Sequence, residues 1–585
     1  MARVQYGDET IVLSSGDYEW GDAPELSFEV GGDDIFNGED SAINVTAFGD
    51  GEDMWGSSRG GDDSMNSGSD GEDIFFAGDA LYMSGRAIGG DDSLQAGVNS
   101  DIVFVGDAGE TMSGNAKGGK DTITGSAAVS DSSSILESTF LTQVSNGPAY
   151  ATSVLVGDAY SFGSCDSDLD MNARGGKDTI IGGNSWADNG GDAYALSVQA
   201  GDAYAMWGDG KGGNDALSGG SSGASDDATA FSLNFMNGDG YRMGGDSQGG
   251  KDNMWGGDAW ASDGAEAITL NVMAGDGYMM DGTSGGGNDA MYGGDASTGS
   301  DGYAVVYNLM AGDSLSVYDN VDVGNDRLTG GSGDNDNDGD SYAIVINLMF
   351  GDVGTVDVGM FSDSFPIFFP PMTTGRVASD EISGRRGWEP IDHGNDTLTG
   401  GDHNALNVLI GDAMVISDGD VGGNDELYGG GTDTMNLMVG DGYVMYEYGV
   451  GGNDKLYSGV GNDMMWGDSM QGYFMPARLD TISFDEMPVY AQNGGADKFY
   501  FDRNNGHDQI YDFSASQGDK IVLRALNDEG DDFAYFAAFQ ASGRMEAVDE
   551  GVLLHLDVHN ADSESNTVML LGVSLDELTA SAFIF

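Results

Sequence analysis

The chain has 585 residues, of which 99 are glycine and one is cysteine. Its 99 acidic and 21 basic side chains give a formal net charge of −78, which excludes the basic surface that binding to nucleic acids or anionic membranes requires. The single cysteine excludes an internal disulfide framework, and no apolar run reaches the roughly 18 residues that span a bilayer. With 39% hydrophobic residues, the chain contains enough apolar side chains to form a core.

The first predicted element is a partial coil or cap at residues 1–30, because Gly21-Asp22 matches a marker of the repeat that follows. From residue 31 onwards a Gly-Gly-x-Asp motif or a close variant recurs, mostly at intervals of 29 or 37 residues, which indicates one repeated structural unit. Two longer intervals contain insertions near residues 126–150 and 357–392. The twelve motifs begin at residues 31, 60, 89, 118, 175, 212, 249, 286, 323, 393, 422 and 451.

Each unit is predicted to contain three short strands with glycines at the corners. One strand follows Gly-Gly-x-Asp, the second precedes a Gly-Asp dipeptide, and the third follows that dipeptide. The additional residues of the longer units precede Gly-Asp and are expected to form a loop of variable length. The predicted fold is therefore all-β: an elongated β-solenoid, similar to a β-roll or parallel β-helix, of about twelve three-strand coils over residues 31–479. A small β-rich module is expected at residues 480–585.

The residue two positions after each motif aspartate is apolar in all twelve units. Stacked coils would place these residues in one continuous column, and we expect that column to lie inside the solenoid. The predicted core column contains Phe36, Met65, Leu94, Ile123, Ile180, Leu217, Met254, Met291, Leu328, Leu398, Leu427 and Leu456.

The strand before Gly-Asp leaves two interpretations open. Alternation of side chains places an asparagine series and a methionine-rich series on one face, and an apolar series on the other. Either the methionines are buried beside an internal asparagine ladder, or they form an exposed stripe for self-association. The first face carries Asn234, Asn271, Asn308, Asn347, Asn407 and Asn436 together with Met236, Met273, Met310, Met349, Leu409 and Met438; the other carries Phe235, Val272, Leu309, Leu348, Val408 and Leu437.

Stacking also brings the motif aspartates into a ladder at one corner and the Gly-Asp aspartates into a ladder at another. Carboxylates about 5 Å apart repel by roughly 3–4 kcal/mol at an effective dielectric constant of 20, so the ladders require cations. Calcium is the expected cofactor, because carboxylates and turn carbonyls are hard oxygen ligands and the chain has only five histidines. The Gly-Asp aspartates either bind this calcium as a second metal ladder or only form turns. They are Asp50, Asp79, Asp107, Asp158, Asp202, Asp239, Asp276, Asp313, Asp352, Asp412, Asp441 and Asp468.

Two segments resemble the calcium-binding nonapeptides of RTX (hemolysin-type calcium-binding repeat) proteins: GNDTLTGG at Gly394–Gly401 and GGNDKLYSGVGNDMMWGD at Gly451–Asp468. In that family, an aspartate and the carbonyls of one turn share calcium with the turn stacked above. Family rolls have two motifs per coil, whereas most coils here have one. The resemblance implies that the calcium ligands include Asp34, Asp63, Asp92, Asp121, Asp178, Asp215, Asp252, Asp289, Asp326, Asp396, Asp425, Asp454 and Asp463.

The end of the chain resembles the C-terminal module of RTX proteins that are exported by type I secretion systems. The resemblance lies in ADKFYFDRNNGHDQIYDFSASQGDKIVLRAL and in the terminal GVSLDELTASAFIF. It implies an uncleaved export signal within residues 480–585 and an extracellular or cell-surface location. It also implies folding on extracellular calcium, since the free energy of binding then contributes to folding.

The insertion before His393 concentrates prolines, aromatic residues and arginines in an arginine-poor chain. Such a combination is typical of an interface hot spot, so the loop is a candidate self-association surface. The alternative is a loop that folds back over its own solenoid. The candidate contact residues are Phe365, Phe368, Phe369, Arg376, Arg385, Arg386 and Trp388.

The sequence contains no His-Glu-x-x-His motif and its histidines are scattered, so we expect no enzymatic activity. The expected function is that of a secreted, calcium-binding structural protein that self-assembles into a surface layer, filament or matrix. The alternatives are an extracellular adhesin or carbohydrate-binding solenoid with cell-surface polysaccharide as its partner, and a glycan-active β-helical enzyme. A nearly regular series of aromatic residues favours carbohydrate binding. It contains Tyr160, Tyr204, Tyr241, Tyr278 and Tyr443.

Overall fold

Stacked parallel strands enclose a continuous core, and each sequence repeat forms one coil of the stack. Strands make up 51% of the chain and helices 2%, so the prediction of an all-β, elongated parallel solenoid is confirmed. No helix in the described part of the chain is long and apolar enough to cross a membrane. The computed structural model describes residues 6–131, 148–162, 172–319, 321–335, 341–354, 390–417, 419–446, 448–470, 494–502, 504–524, 526, 534–556 and 566–585.

Sheet A contains the strands that follow Gly-Gly-x-Asp. They pair in parallel and in register, so that Leu427, for example, lies opposite Leu398 and Leu456. The sixteen strands, in order of pairing, are Thr10–Leu13, Ile35–Gly38, Ser64–Asn66, Ser93–Gln95, Thr122–Thr124, Thr179–Ile181, Ala216–Ser218, Asn253–Trp255, Ala290–Tyr292, Arg327–Thr329, Thr397–Thr399, Glu426–Tyr428, Lys455–Tyr457, Lys498–Tyr500, Lys520–Val522 and Phe583–Ile584.

Sheet B contains the strands that precede Gly-Asp, again in parallel register, and it ends in two antiparallel pairings among the last three strands, which belong to the C-terminal region. In order of pairing, the strands are Tyr18–Trp20, Ile43–Phe48, Glu72–Ala77, Asp101–Val105, Ala149–Val156, Asp192–Ala200, Thr229–Asn237, Glu266–Ala274, Tyr303–Ala311, Tyr342–Phe350, Ala405–Ile410, Thr434–Val439, Gly461–Trp466, His507–Ile510, Thr567–Leu571, Gly551–His555 and Met545–Val548.

Sheet C contains the strands that follow Gly-Asp. Single bridges through Val353 connect its last strand to a separate pair, Ala413–Ile416 and Gly442–Met445. The nine strands of sheet C are Glu25–Ser27, Gly51–Trp55, Ala80–Met83, Ala108–Met112, Ala159–Phe162, Ala203–Met206, Gly240–Met243, Gly277–Gly282 and Ser314–Asp319.

The longer units contain a fourth strand where the sequence predicted a variable loop. These strands form sheet D, and the sheet B strands of the same units lengthen to eight or nine residues. Sheets B and D approach closely because small side chains such as Ala259, Ala261 and Ala267 fill the space between them. The six strands of sheet D are Ala128–Asp131, Ser185–Asp188, Ser222–Ala224, Ala259–Ala261, Ala296–Thr298 and Gly333–Asp334.

The two ends of the described chain continue the stack. Strands Thr10–Leu13, Tyr18–Trp20 and Glu25–Ser27 pair with the first repeat, so the segment expected as a partial coil contributes a strand to each of sheets A, B and C. The C-terminal region adds strands to sheets A and B, together with an α-helix at Phe536–Ala541 and a 3₁₀-helix at Ala580–Ala582. One apolar cluster extends from the first coil into this region.

The predicted apolar column forms the centre of that cluster. None of its twelve residues, from Phe36 to Leu456, is more than 1% exposed. The prediction is therefore confirmed, and burial of a Leu or Phe side chain contributes roughly 1.5–3 kcal/mol of transfer free energy.

The methionine-rich face of sheet B also lies inside the solenoid, so the interpretation with an exposed methionine stripe was wrong. Met273, Met310 and Met349 are fully buried. The neighbouring asparagines form a ladder in which each Nδ2 donates to Oδ1 of the next, over 2.7–2.9 Å from Asn234 to Asn436. From Asn234 to Asn407, Oδ1 and Nδ2 of each asparagine also bond to a glycine N–H and carbonyl, as they do at Asn271, and Nδ2 of Asn436 donates instead to Oγ1 of Thr434, so the buried amides are saturated.

Candidate metal centres

The motif aspartates form a ladder, called the motif ladder below, in which one carboxylate oxygen is fixed by the backbone. The Asp34 N–H donates to Oδ1 of Asp63 at 2.6 Å, and the Asp63 N–H donates to Oδ1 of Asp92 at 2.7 Å. The second oxygen, Oδ2, is buried and has no hydrogen-bond partner. Such atoms belong to Asp34, Asp63, Asp92, Asp121, Asp178, Asp215, Asp252, Asp289, Asp326, Asp396, Asp425, Asp454 and Asp497.

The Gly-Asp aspartates form a second ladder, called the corner ladder. Their carboxylates accept hydrogen bonds from the second glycine of the next motif: the Gly213 N–H lies 2.8 and 2.9 Å from the two oxygens of Asp202, and the Gly90 N–H lies 3.1 and 3.2 Å from those of Asp79. None of the twelve predicted members is more than 4% exposed. The second ladder therefore belongs to the interior.

The two ladders lie together, although the sequence placed them at different corners. A corner aspartate, the next motif aspartate and the next corner aspartate bring ligand oxygens within 4.8 Å of one another. The coil makes this possible because the turn after sheet B and the turn before sheet A lie side by side. Buried groups of this kind are Asp50, Asp63 and Asp79; Asp79, Asp92 and Asp107; Asp107, Asp121 and Asp158; and Asp313, Asp326 and Asp352. We call the two ladders together the carboxylate column.

Glycine predominates along this column because oxygens approach the backbone closely at most of its positions. A Cβ atom on Gly49 would lie 1.7 Å from the carbonyl oxygen of Gly78 and 1.9 Å from Oδ2 of Asp63. A Cβ atom on Gly60 would lie 1.5 Å from Oδ1 of Asp79. Carbonyl and carboxylate oxygens of adjacent coils thus converge at the glycines of the repeat, as the ligands of a metal ion do.

The buried environment of the column disfavours ionised carboxylates unless a counterion is present. Burial raises the pKa of Asp63 to about 9, and the charges of Asp79 and Asp34 add to the rise. Burial raises the pKa of Asp79 to about 6, and burial followed by the charges of Asp121 and Asp79 raises the pKa of Asp107 well above its ordinary value. No lysine or arginine is buried in the part of the chain that the structure describes. Neutrality of the column therefore requires protons or cations.

One predicted ligand lies elsewhere. Asp463, which the nonapeptide spacing assigned to the motif aspartates, is in register with Asn436 of sheet B. Its Oδ1 accepts a hydrogen bond of 2.7 Å from Nδ2 of Asn436, and its Oδ2 accepts one of 2.8 Å from the Gly459 N–H. Asp463 thus ends the asparagine ladder and has no free oxygen for the column.

Two aspartates that the sequence analysis missed extend the motif ladder into the C-terminal region. The Asp454 N–H donates to Oδ1 of Asp497 at 2.9 Å, and the Asp497 N–H donates to Oδ1 of Asp519 at 3.1 Å. The segment Gly494-Gly495-Ala496-Asp497 is a thirteenth copy of the motif and was the available signal. Oδ2 of Asp519 accepts a hydrogen bond from the Ser514 N–H, so the series of unpartnered oxygens ends at Asp497.

These arrangements could hold metal ions, since each combines buried carboxylates, an unpartnered oxygen and space that only glycine leaves open. The seven predicted self-association residues between Phe365 and Trp388 lie outside the described residues. Comparison of the chain with protein-family models, with curated proteins and with solved structures found no match.

Proposed function

We propose that the carboxylate column binds calcium and that the protein is a secreted structural protein, which folds on extracellular calcium and self-assembles. The observation that carries the proposal is the buried, unpartnered Oδ2 that recurs beside corner-ladder carboxylates along the solenoid. An all-oxygen ligand set favours calcium over softer metals. Each coil adds one aspartate to each ladder, and a single divalent cation balances that pair of charges.

The proposed dependence of folding on calcium implies an extracellular site of action. Calcium-binding modules outside cells commonly have dissociation constants of about 10⁻⁴–10⁻³ M, a range that keeps their sites unfilled at cytosolic concentrations. The repulsive column would then hold the chain unfolded before export, and calcium outside would complete the fold. The resemblance of the C-terminal region to type I secretion modules supports the same route.

The outward face of sheet B supports self-assembly. Because Asn347 and Met349 point into the core, Leu348 between them points outward, and it belongs with Phe235, Val408 and others to an apolar cluster. Phe235, Leu348 and Val408 are half-buried, whereas Val272 and Leu309, which lie between Phe235 and Leu348 in the series, are 2% and 3% exposed. The half-buried members leave apolar surface on the outside of the solenoid, which on a chain with a net charge of −78 is typical of a contact between protein copies.

The test is negative-stain electron microscopy of refolded protein with and without millimolar calcium. We expect filaments or sheets with calcium only. Leu348→Lys is expected to reduce the assembled fraction at least tenfold while leaving the far-UV circular dichroism spectrum unchanged, because a charge on this face must be desolvated in a contact. Gln95→Lys, on an exposed sheet A position, is the matched control and should assemble normally.

Separate short rods in calcium would contradict self-assembly. Normal assembly of Leu348→Lys would instead place the contact elsewhere, with the insertion between residues 357 and 392 as the next segment to delete.

A second candidate function, carbohydrate binding, is favoured by aromatic residues on the outside of the solenoid. Tyr160, Tyr204, Tyr241 and Tyr278 stack at centroid distances of 4.9, 5.0 and 4.9 Å, so the predicted series is continuous over four coils. Stacking covers the ring faces within such a series. A sugar ring therefore requires a place where a stack ends.

One stack ends in this way on sheet A. Trp255 and Tyr292 stack at 5.9 Å, and their outer neighbours in register are the small residues Ser218 and Thr329. These four residues line an open groove of about 490 Å³ that also contains the carboxylate of Asp258. An aromatic platform beside carboxylates and hydroxyl groups is suited to sugar recognition.

Trp255→Ala is expected to lower affinity for a bound polysaccharide at least tenfold, because it removes the ring on which the sugar stacks. The measurement is isothermal titration against polysaccharides selected on a glycan array. Trp55→Ala is the matched control, since Trp55 is similarly exposed but lies in a distant coil. Equal affinities for both variants would exclude this groove as the site.

A further inference from the structure

His393 interrupts the carboxylate column at one coil. The first residue of the twelve motifs is glycine except at Val323 and His393. At the equivalent Gly422, a Cβ atom would lie 1.9 Å from Oδ1 of Asp441 and 2.8 Å from Oδ2 of Asp412. A side chain at this position therefore points between successive members of the corner ladder, and in this coil that side chain is an imidazole.

The imidazole is buried among carboxylates. Nδ1 of His393 lies 2.7 Å from Oδ2 of Asp352, and the two side chains are 2% and 0% exposed. His393, Asp352 and Asp412 place ligand atoms within 4.8 Å of one another. Nε2 of His393 and Oδ2 of Asp412 are both buried without a hydrogen-bond partner. A buried polar atom without a partner destabilises the fold, and a bound ion would remove that cost.

We propose that His393, Asp352 and Asp412 form a separate site for a divalent transition cation such as zinc. The donor set differs from the rest of the column by one imidazole nitrogen, a ligand that suits zinc, nickel and copper and that calcium rarely takes. The second ring nitrogen and the carboxylates supply the hydrogen bonds and charge that usually orient and support a metal-bound histidine. The inference goes beyond the proposed calcium-dependent assembly and does not depend on it.

The site spans the longest insertion of the chain. The interval between the motifs at residues 323 and 393 contains the longest insertion of the chain, and the coil that His393 begins is the one that resumes the stack after it. The strand Thr397–Thr399 of this coil pairs with Arg327–Thr329 across the insertion. An ion shared by Asp352, before the insertion, and by His393 and Asp412, after it, would join the two parts of the solenoid.

The experiment is metal analysis of the full-length protein after dialysis against zinc in the presence of millimolar calcium. We expect one zinc per chain in the wild type. His393→Gly, which introduces the residue found at this position in ten of the other eleven motifs, should contain none and retain its β-sheet spectrum. His403→Gly is the matched control, because His403 is exposed at a positive φ of 52° that glycine tolerates, and it should retain the zinc.

Absence of stoichiometric zinc from the wild type, or its persistence in His393→Gly, would overturn the proposal. X-ray absorption of the zinc-loaded wild type gives a second measurement if His393→Gly fails to fold: one imidazole and oxygen ligands at about 2.0–2.1 Å are expected, whereas oxygen ligands alone would contradict the site. Calcium is counted in the same samples. A chain with zinc but no calcium would refute the calcium proposal and leave this one standing.

Discussion

Chelation of divalent cations at neutral pH is expected to abolish most of the β-sheet signal in the far-UV circular dichroism spectrum. The motif and corner ladders bring their carboxylates into one buried column, where no lysine or arginine of the described chain is buried to balance them. Ionised neighbours about 5 Å apart repel by roughly 3–4 kcal/mol per pair at an effective dielectric constant of 20. Repeated over the coils, this repulsion exceeds the 5–15 kcal/mol by which proteins are usually stable.

The measurement is a titration of the folded protein with EGTA, followed by the return of calcium. We expect cooperative loss and recovery of the signal, with magnesium at equal concentration recovering little because it accepts only small, near-octahedral sites. A spectrum that stays unchanged after chelation would contradict the assignment of the column to calcium, whatever the protein's other properties.

Substitution of a single carboxylate in the middle of the column is expected to remove one calcium ion per chain. Asp239 is fully buried, and its Oδ1 accepts a hydrogen bond of 2.8 Å from the Gly250 N–H. Asp239→Asn retains one oxygen for that bond, removes the charge, and replaces the second acceptor oxygen, which lies 3.0 Å from the same N–H, with an NH2 donor. Loss of one partner of a buried ionic group costs about 3–5 kcal/mol, so we expect the free energy of unfolding in calcium to fall by about 3 kcal/mol.

Calcium content by mass spectrometry and urea denaturation in millimolar calcium are the two readouts. Asp227→Asn is the matched control: Asp227 lies in a neighbouring turn, is exposed, and has a positive φ of 58° that asparagine tolerates. Equal calcium content and equal stability in the two variants would show that the corner ladder only forms turns.

The repeat and its core column were predictable because both depend on spacing alone. Leu427 and Leu456 occupy the same position of successive units. Because the units stack in parallel and in register, residues at the same position of neighbouring units lie opposite each other. The face of sheet B that enters the core was not predictable, because Met349 and Leu348 are both apolar. The amide of Asn347 decides the matter, since a buried ladder satisfies it completely.

The geometry of the carboxylate column was not predictable, because it depends on the cross-section of the coil. The spacing of the motifs along the sequence does not determine that cross-section. Asp63 and Asp79 lie in different turns of one unit, and only the closed path of the chain brings them together. Sheet D was missed because its short strands, such as Ser222–Ala224, consist of small residues that are also common in loops. Asp463 was wrongly assigned to the motif ladder because its local sequence fits the nonapeptide. Its position is determined instead by the pairing of its strand within sheet B.

The asparagine ladder gives the solenoid a direction. Every Nδ2 from Asn234 to Asn407 donates towards the C-terminal neighbour, and the last donor, Asn436, meets the carboxylate of Asp463. The amide dipoles of the ladder are therefore aligned along the solenoid, and the carboxylate of Asp463 lies at the end that their donor groups face.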